Sequence, residues 1–91
     1  MAKVVVTMKI MPEAPDTDLE SIEANVNERV SDFGGEVGRV EQVPIAFGLK
    51  SLNVMFIMDE DKGSTDELEK QVAQIAGVNS VDVIDVRRTI G

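Results

Sequence analysis

The residues that could do chemistry in this chain are few, and most are charged. Asp59, Glu60 and Asp61 form an acidic run followed by Lys62 and Gly63. Calcium binds where several oxygen ligands converge, and this run could offer two or three. It is not an EF-hand, since its glycine falls one position early and it lacks flanking helices on both sides. The simpler reading is a solvated loop before a helix start, where negative charge is favoured. Gly34, Gly35 and Gly38 follow a helical pattern and precede a strand, the reverse of the order in which helix amides cradle a phosphate. No G-x-x-x-x-G-K-[ST] loop occurs. Phe47 stands between the small residues Ala46 and Gly48, and Arg87 and Arg88 lie together near the carboxyl end. An aromatic at a turn between small residues can project outward as an anchor for a partner pocket, or fold back onto its own core.

Composition narrows the choice. The chain has no His and no Cys, so the commonest general base and the strongest nucleophile are missing. Disulfides and thiol chemistry are likewise excluded, which fits a reducing cytoplasm. The net charge of −8 opposes nucleic acid and anionic membranes and suits a basic protein partner, or serves solubility alone. No apolar run approaches the ~20 residues of a membrane span. The 91 residues suit one domain, and with three Phe, no Trp and no Tyr its core must rest on Val, Ile, Leu and Met.

The elements that position these residues follow from periodicity. Residues 3–10 alternate, with Val4, Val6, Met8 and Ile10 on one face, and predict a half-buried strand. Thr17 and Glu20 suggest a capping box. Leu19, Ile22, Val26, Val30 and Phe33 then mark one helical face, ended by Gly34 and Gly35. A second strand is expected over 36–45, irregular around Gly38, and a third over 49–58 after the Ala46–Gly48 turn. Ser64 and Glu67 suggest a second capping box before the stripe Leu68, Val72, Ile75, and Gly77 stops that helix. A fourth strand over 80–87 and a short tail, Arg88 to Gly91, complete the chain. The order strand, helix, strand, strand, helix, strand predicts an α+β, ferredoxin-like βαββαβ fold, a four-stranded antiparallel sheet with both helices on one face. The other face would carry Val5, Met55 and Ile57, a mildly apolar patch.

One stretch is more specific than these patterns. The run Val43 to Leu52, then Asp59-Glu60-Asp61-Lys62 with Thr65 to Glu69, then Val81-Asp82-Val83 resembles the guanine-nucleotide exchange domain of translation elongation factor 1-beta. The resemblance covers essentially the whole chain, in the archaeal form that lacks the amino-terminal extension of the eukaryotic proteins. It implies a non-enzymatic function, release of GDP from the GTPase elongation factor 1-alpha. It also implies that Phe47 is the aromatic that wedges into the GTPase. Arg88 then stands where the family places a lysine that enters the magnesium site, with Arg87 beside it. Arginine keeps the charge but is planar and wider than an ammonium. Lys50 and Lys62 match positions to which peripheral contacts are assigned. The expectation is a cytoplasmic protein, monomeric when free, with no cofactor and no direct contact with nucleic acid or membrane. The alternative is a small metal-binding or ligand-binding regulatory domain on the same fold, using Asp59, Glu60 and Asp61. A phosphate-ester or acyl-phosphate enzyme on this scaffold is a third reading, without a phosphate cradle.

Overall fold

Four strands and two helices alternate along the chain in a computed structural model that describes residues 2–90. The strands are β1 (Ala2–Pro12), β2 (Glu36–Pro44), β3 (Lys50–Asp59) and β4 (Val78–Ile90), and the helices are α1 (Leu19–Phe33) and α2 (Asp66–Ala73). A single 3₁₀ turn, Glu60–Lys62, follows β3. The sheet order is β2-β3-β1-β4, every neighbouring pair antiparallel, as expected for the ferredoxin-like fold. β2 and β4 are therefore the edges.

Alternation decides which face is covered. Val6, Met8 and Ile10 of β1 and Leu52, Val54, Phe56 and Met58 of β3 are buried, together with Ile22, Val26 and Val30 of α1 and Leu68 and Val72 of α2. These are period-2 and period-3.6 positions, so the two patterns meet in one layer. The opposite sheet face has no helix, and Ile57 there is exposed while Val5 and Met55 are partly so. Gly38 sits where the β2–β3 register shifts, between Val37 and Arg39. The extra residue there is the irregularity expected from the sequence.

Three local expectations need correction. The cap of α1 is Asp18 and not Thr17: Asp18 Oδ1 accepts from the Glu20 and Ser21 amides at 3.1 and 3.3 Å. Thr17 Oγ1 instead accepts from the Ala14 amide and closes the preceding turn. At α2, Ser64 Oγ accepts from the Asp66 amide, and Thr65 donates its hydroxyl to Glu69, so the Ser64–Glu67 box does not form. Finally, β4 does not stop at residue 87. Arg87, Arg88 and Thr89 pair with Val5, Val4 and Lys3 of β1, so the expected tail is strand as far as Ile90, and Gly91 lies outside the described residues.

The end of α1 matches its sequence. Gly34 takes φ 98°. The Gly34 amide bonds Ser31 O at 3.0 Å and the Gly35 amide bonds Val30 O at 2.9 Å, the paired bonds of a Schellman motif.

Candidate functional site

Phe47 occupies the tip of the β2–β3 hairpin. The Leu49 amide bonds Ala46 O at 3.1 Å and the Ile45 amide bonds Leu49 O at 2.8 Å. Between them Phe47 has φ 58° and Gly48 φ 77°. Two successive positive values define a type I′ turn, whose usual occupants are Asn-Gly or Asp-Gly. Glycine takes this conformation without cost, but a bulky L-residue is strained there. Phe47 is the non-glycine residue with positive φ among those described, and it is 95% exposed. The chain thus holds an aromatic ring in water on a backbone that disfavours it. The possibility that Phe47 folds back onto its own core is excluded. Ile45, 43% exposed, lies beside it, and Lys50 is exposed at the start of β3, opposite Pro44.

Arg88 lies at the other end of the sheet. It is opposite Val4, which is opposite Met58. Eight residue steps along β3, from Lys50 to Met58, therefore separate its level from the hairpin, roughly 25 Å at ~3.3 Å per residue. The molecule is elongated to match, 42 × 21 × 17 Å. The family resemblance groups Phe47, Lys50, Lys62, Arg87 and Arg88 as contacts of one partner, and the structure divides them between two ends.

At that second end the arginines diverge. Directly opposed residues of an antiparallel pair share a face. Arg88 shares the helix-bearing face with Val4, and Arg87 shares the open face with Val5. Arg88 Nε donates to Glu60 Oε2 at 2.7 Å, and both side chains remain largely exposed. Arg87 Nε donates to Asp85 Oδ2 at 3.0 Å. A shallow cavity of 310 Å³ opens beside Arg88, lined by Ala2, Glu60, Asp61 and Arg88. Only one of the two guanidinium groups faces it.

The acidic run does not converge. Asp59 Oδ1 pairs with Lys3 Nζ at 2.8 Å across β3 and β1, and Glu60 pairs with Arg88. The hydrogen bond and charge of Lys3 hold the Asp59 carboxyl below the usual carboxylate range, and Asp59 raises Lys3 in return. Among the described residues, no three His, Cys, Asp or Glu side chains are grouped to hold a metal ion. The metal candidates Asp59, Glu60 and Asp61 are thus two ion-paired carboxylates and a neighbour. Lys62 also has a local partner. A Cβ built on Gly34 would meet Lys62 Nζ at 2.7 Å, so this ammonium lies against the carboxyl end of α1. The last turn of α1 has no basic residue of its own, and Lys62 supplies the cation its dipole favours.

The matches to known proteins span the same two ends. The EF-1 guanine nucleotide exchange domain matches residues 5–89. The chain belongs to the EF-1 guanine nucleotide exchange domain family. It is 43% identical over 88 residues to elongation factor 1-beta of Methanothermobacter thermautotrophicus, covering 97% of this chain and 98% of that protein. It is 39% identical over 90 residues to elongation factor 1-beta of Methanocorpusculum labreanum, covering 99% and 100%. The fold is shared more widely. The ACT domain from the GTP pyrophosphokinase of Chlorobium tepidum superposes with a TM-score of 0.61 at 17% identity, over 90% of this chain and 99% of that one. The carboxyl-terminal domain of the MgtC protein of Mycobacterium tuberculosis gives 0.64 at 13%, over 96% and 87%. At these identities the likeness is one of fold.

Two features of the exchange domain lie beyond sequence reading. Glu60 is the partner of Arg88, 28 positions away in the chain. Ile84 and Val86 of β4 are 52% and 60% exposed, although their Val/Ile-rich segment reads as a buried strand. Among the described residues, no helix is long and apolar enough to cross a membrane.

Proposed function

We infer that this exchange domain accelerates GDP release from elongation factor 1-alpha by engaging it at two separated points. Phe47 carries the reading. A strained, 95% exposed aromatic gains nothing for its own fold and gains burial in a partner pocket, about 1.5–3 kcal/mol for a fully buried ring. Arg88 is the second point. A guanidinium delivered near the magnesium site competes with the metal that bridges the nucleotide phosphates. The pair with Glu60 is exposed, and such pairs are worth ~0–1 kcal/mol, so Arg88 leaves it readily. Arg87, on the other face, does not enter the same site. Lys50 adds a peripheral contact beside Phe47, and Lys62 acts first on its own fold.

No bond is made or broken in this action; the domain is a binding partner and not an enzyme. It needs no cofactor, works in the cytoplasm, is monomeric when free, and forms one domain over residues 1–91. Its charge of −8 keeps it from nucleic acid and anionic membranes. Linkage fixes the order of events. By whatever factor the domain weakens GDP binding, GDP weakens the domain's binding. GTP in excess then refills the site and expels the domain.

The test is binding to elongation factor 1-alpha in two states. The domain should bind the nucleotide-free GTPase far more tightly than the GDP-bound form, and the ratio should equal its effect on GDP affinity. Equal affinity for the two states would refute exchange by this route.

A further inference from the structure

We propose that Ile84 and Val86, on the exposed edge of β4, form an apolar shelf on which elongation factor 1-alpha rests while Arg88 enters its site. The inference rests on the exchange reading and extends its second contact point. Val86 is opposite Val6, which is only 1% exposed, so Val86 lies on the core face of the sheet. Yet it is 60% exposed. The helix layer does not cover this part of β4: Val81 and Val83 pack on the core, while Val86 and Arg88 continue the same face beyond it. Ile84, two residues back on the same edge strand, is exposed for a different reason. Thr7 pairs with Asp85 and Met8 with Val83, which leaves Ile84 without a partner in a β-bulge. Bulges re-aim side chains at sheet edges, and Ile84 is 52% exposed.

The occupant follows from what borders the shelf. Arg88 is two residues along from Val86, and the cavity lined by Glu60, Asp61 and Arg88 opens beside it. The shelf is therefore continuous with the contact point of the exchange reading. A surface with an apolar centre and charges of both signs at its rim has the anatomy of a protein interface. The GTPase segment that fits it presents apolar side chains to Ile84 and Val86, and a basic group to the carboxylates that Arg88 leaves behind. A second copy of this chain is the poorer fit. Edge-to-edge strand addition needs a regular ladder, and the bulge at Ile84 with the charges of Asp82, Asp85 and Arg87 interrupts it.

The experiment compares wild type, Ile84→Ser, Val86→Ser, the double variant and Phe47→Ala in full-length protein. Release of fluorescent GDP from elongation factor 1-alpha is followed at stopped-flow resolution, with thermal unfolding and sedimentation as controls. The double variant should lose about tenfold or more in its second-order exchange rate while its unfolding midpoint moves by less than about 3 °C. If Val86→Ser fails to fold, Val86→Lys replaces it with the same expectation. Exchange unchanged in the double variant but lost in Phe47→Ala would overturn the shelf and leave the exchange reading standing. No exchange by wild type would overturn both. A wild-type dimer that the double variant abolishes would assign the shelf to a second copy and overturn the proposal.

Discussion

Replacing Phe47 by Asn should make the protein more stable and less active at once. The turn demands positive φ at two successive positions, 58° and 77°, and Asn-Gly is among the pairs that supply it at lowest cost. A bulky L-residue in the left-handed region is strained by ~1–2 kcal/mol, and Asn recovers much of that, about 1 kcal/mol. The ring is 95% exposed, so its removal loses almost no packing. For a domain of this size, 1 kcal/mol raises the unfolding midpoint by roughly 4–8 °C. Exchange moves the other way. Losing an aromatic anchor worth ~1.5–3 kcal/mol when buried costs roughly tenfold to a hundredfold in binding. Phe47→Ala serves as the control, because Ala keeps the backbone strain and removes only the ring. It should leave stability nearly unchanged and lose as much exchange. Calorimetry and GDP release measured on the same preparations check both halves. A lower midpoint for Phe47→Asn, or full exchange by either variant, would refute the reasoning that the strain is kept for the partner.

Other expectations follow from particular contacts. Arg88→Ala should lose exchange while Arg87→Ala keeps most of it, because the two side chains face opposite sides of the sheet; GDP release by each variant checks this. Truncation after residue 86 is a poor substitute, because it also removes the pairing of residues 87–89 with β1. Lys62→Met should lower stability by ~0.3–1 kcal/mol through the carboxyl end of α1, measured by urea unfolding, with exchange little changed. The pair Lys3–Asp59 should impose a pH window. Asp59 is depressed in the fold, so its contribution is present above its unfolded pKa of ~3.9 and is lost as pH falls through the lower folded value. Lys3 is raised, so its contribution is complete below ~10.4 and is lost as pH climbs through the higher folded value. Lys3→Met should return the Asp59 carboxyl toward its ordinary range, read by carbon NMR. Phe56→Ala, by contrast with Phe47→Ala, should cost about 3–5 kcal/mol in unfolding experiments, because Phe56 is fully buried.

The fold was legible because its core uses two clean periods. Val6, Met8 and Ile10 alternate and Ile22, Val26 and Val30 recur at four, and all six are buried. The sequence leaves the cap of α1 ambiguous by one residue because Thr17 and Asp18 are both good caps, and only three-dimensional geometry shows that Thr17 is used by the Ala14 amide. The end of β4 is not legible in the sequence because Arg87, Arg88 and Thr89 carry no apolar signal; an edge strand is held by backbone pairing that side-chain patterns do not record. At the site, the turn at Phe47 was legible from Gly48, but the strain on Phe47 was not, since nothing in the sequence fixes its φ. The links Arg88–Glu60 and Lys62 to Gly34 join residues 28 positions apart. No local pattern encodes such contacts. The sequence therefore assembles the candidate residues as one set, and only the sheet register shows that they occupy two ends.

Exchange itself is read by release of fluorescent GDP from elongation factor 1-alpha in the presence of excess unlabelled nucleotide, with the domain at catalytic amounts. Release should accelerate with domain concentration, and each domain molecule should turn over many GTPase molecules. A release rate independent of the domain, with both proteins folded, would contradict the exchange reading.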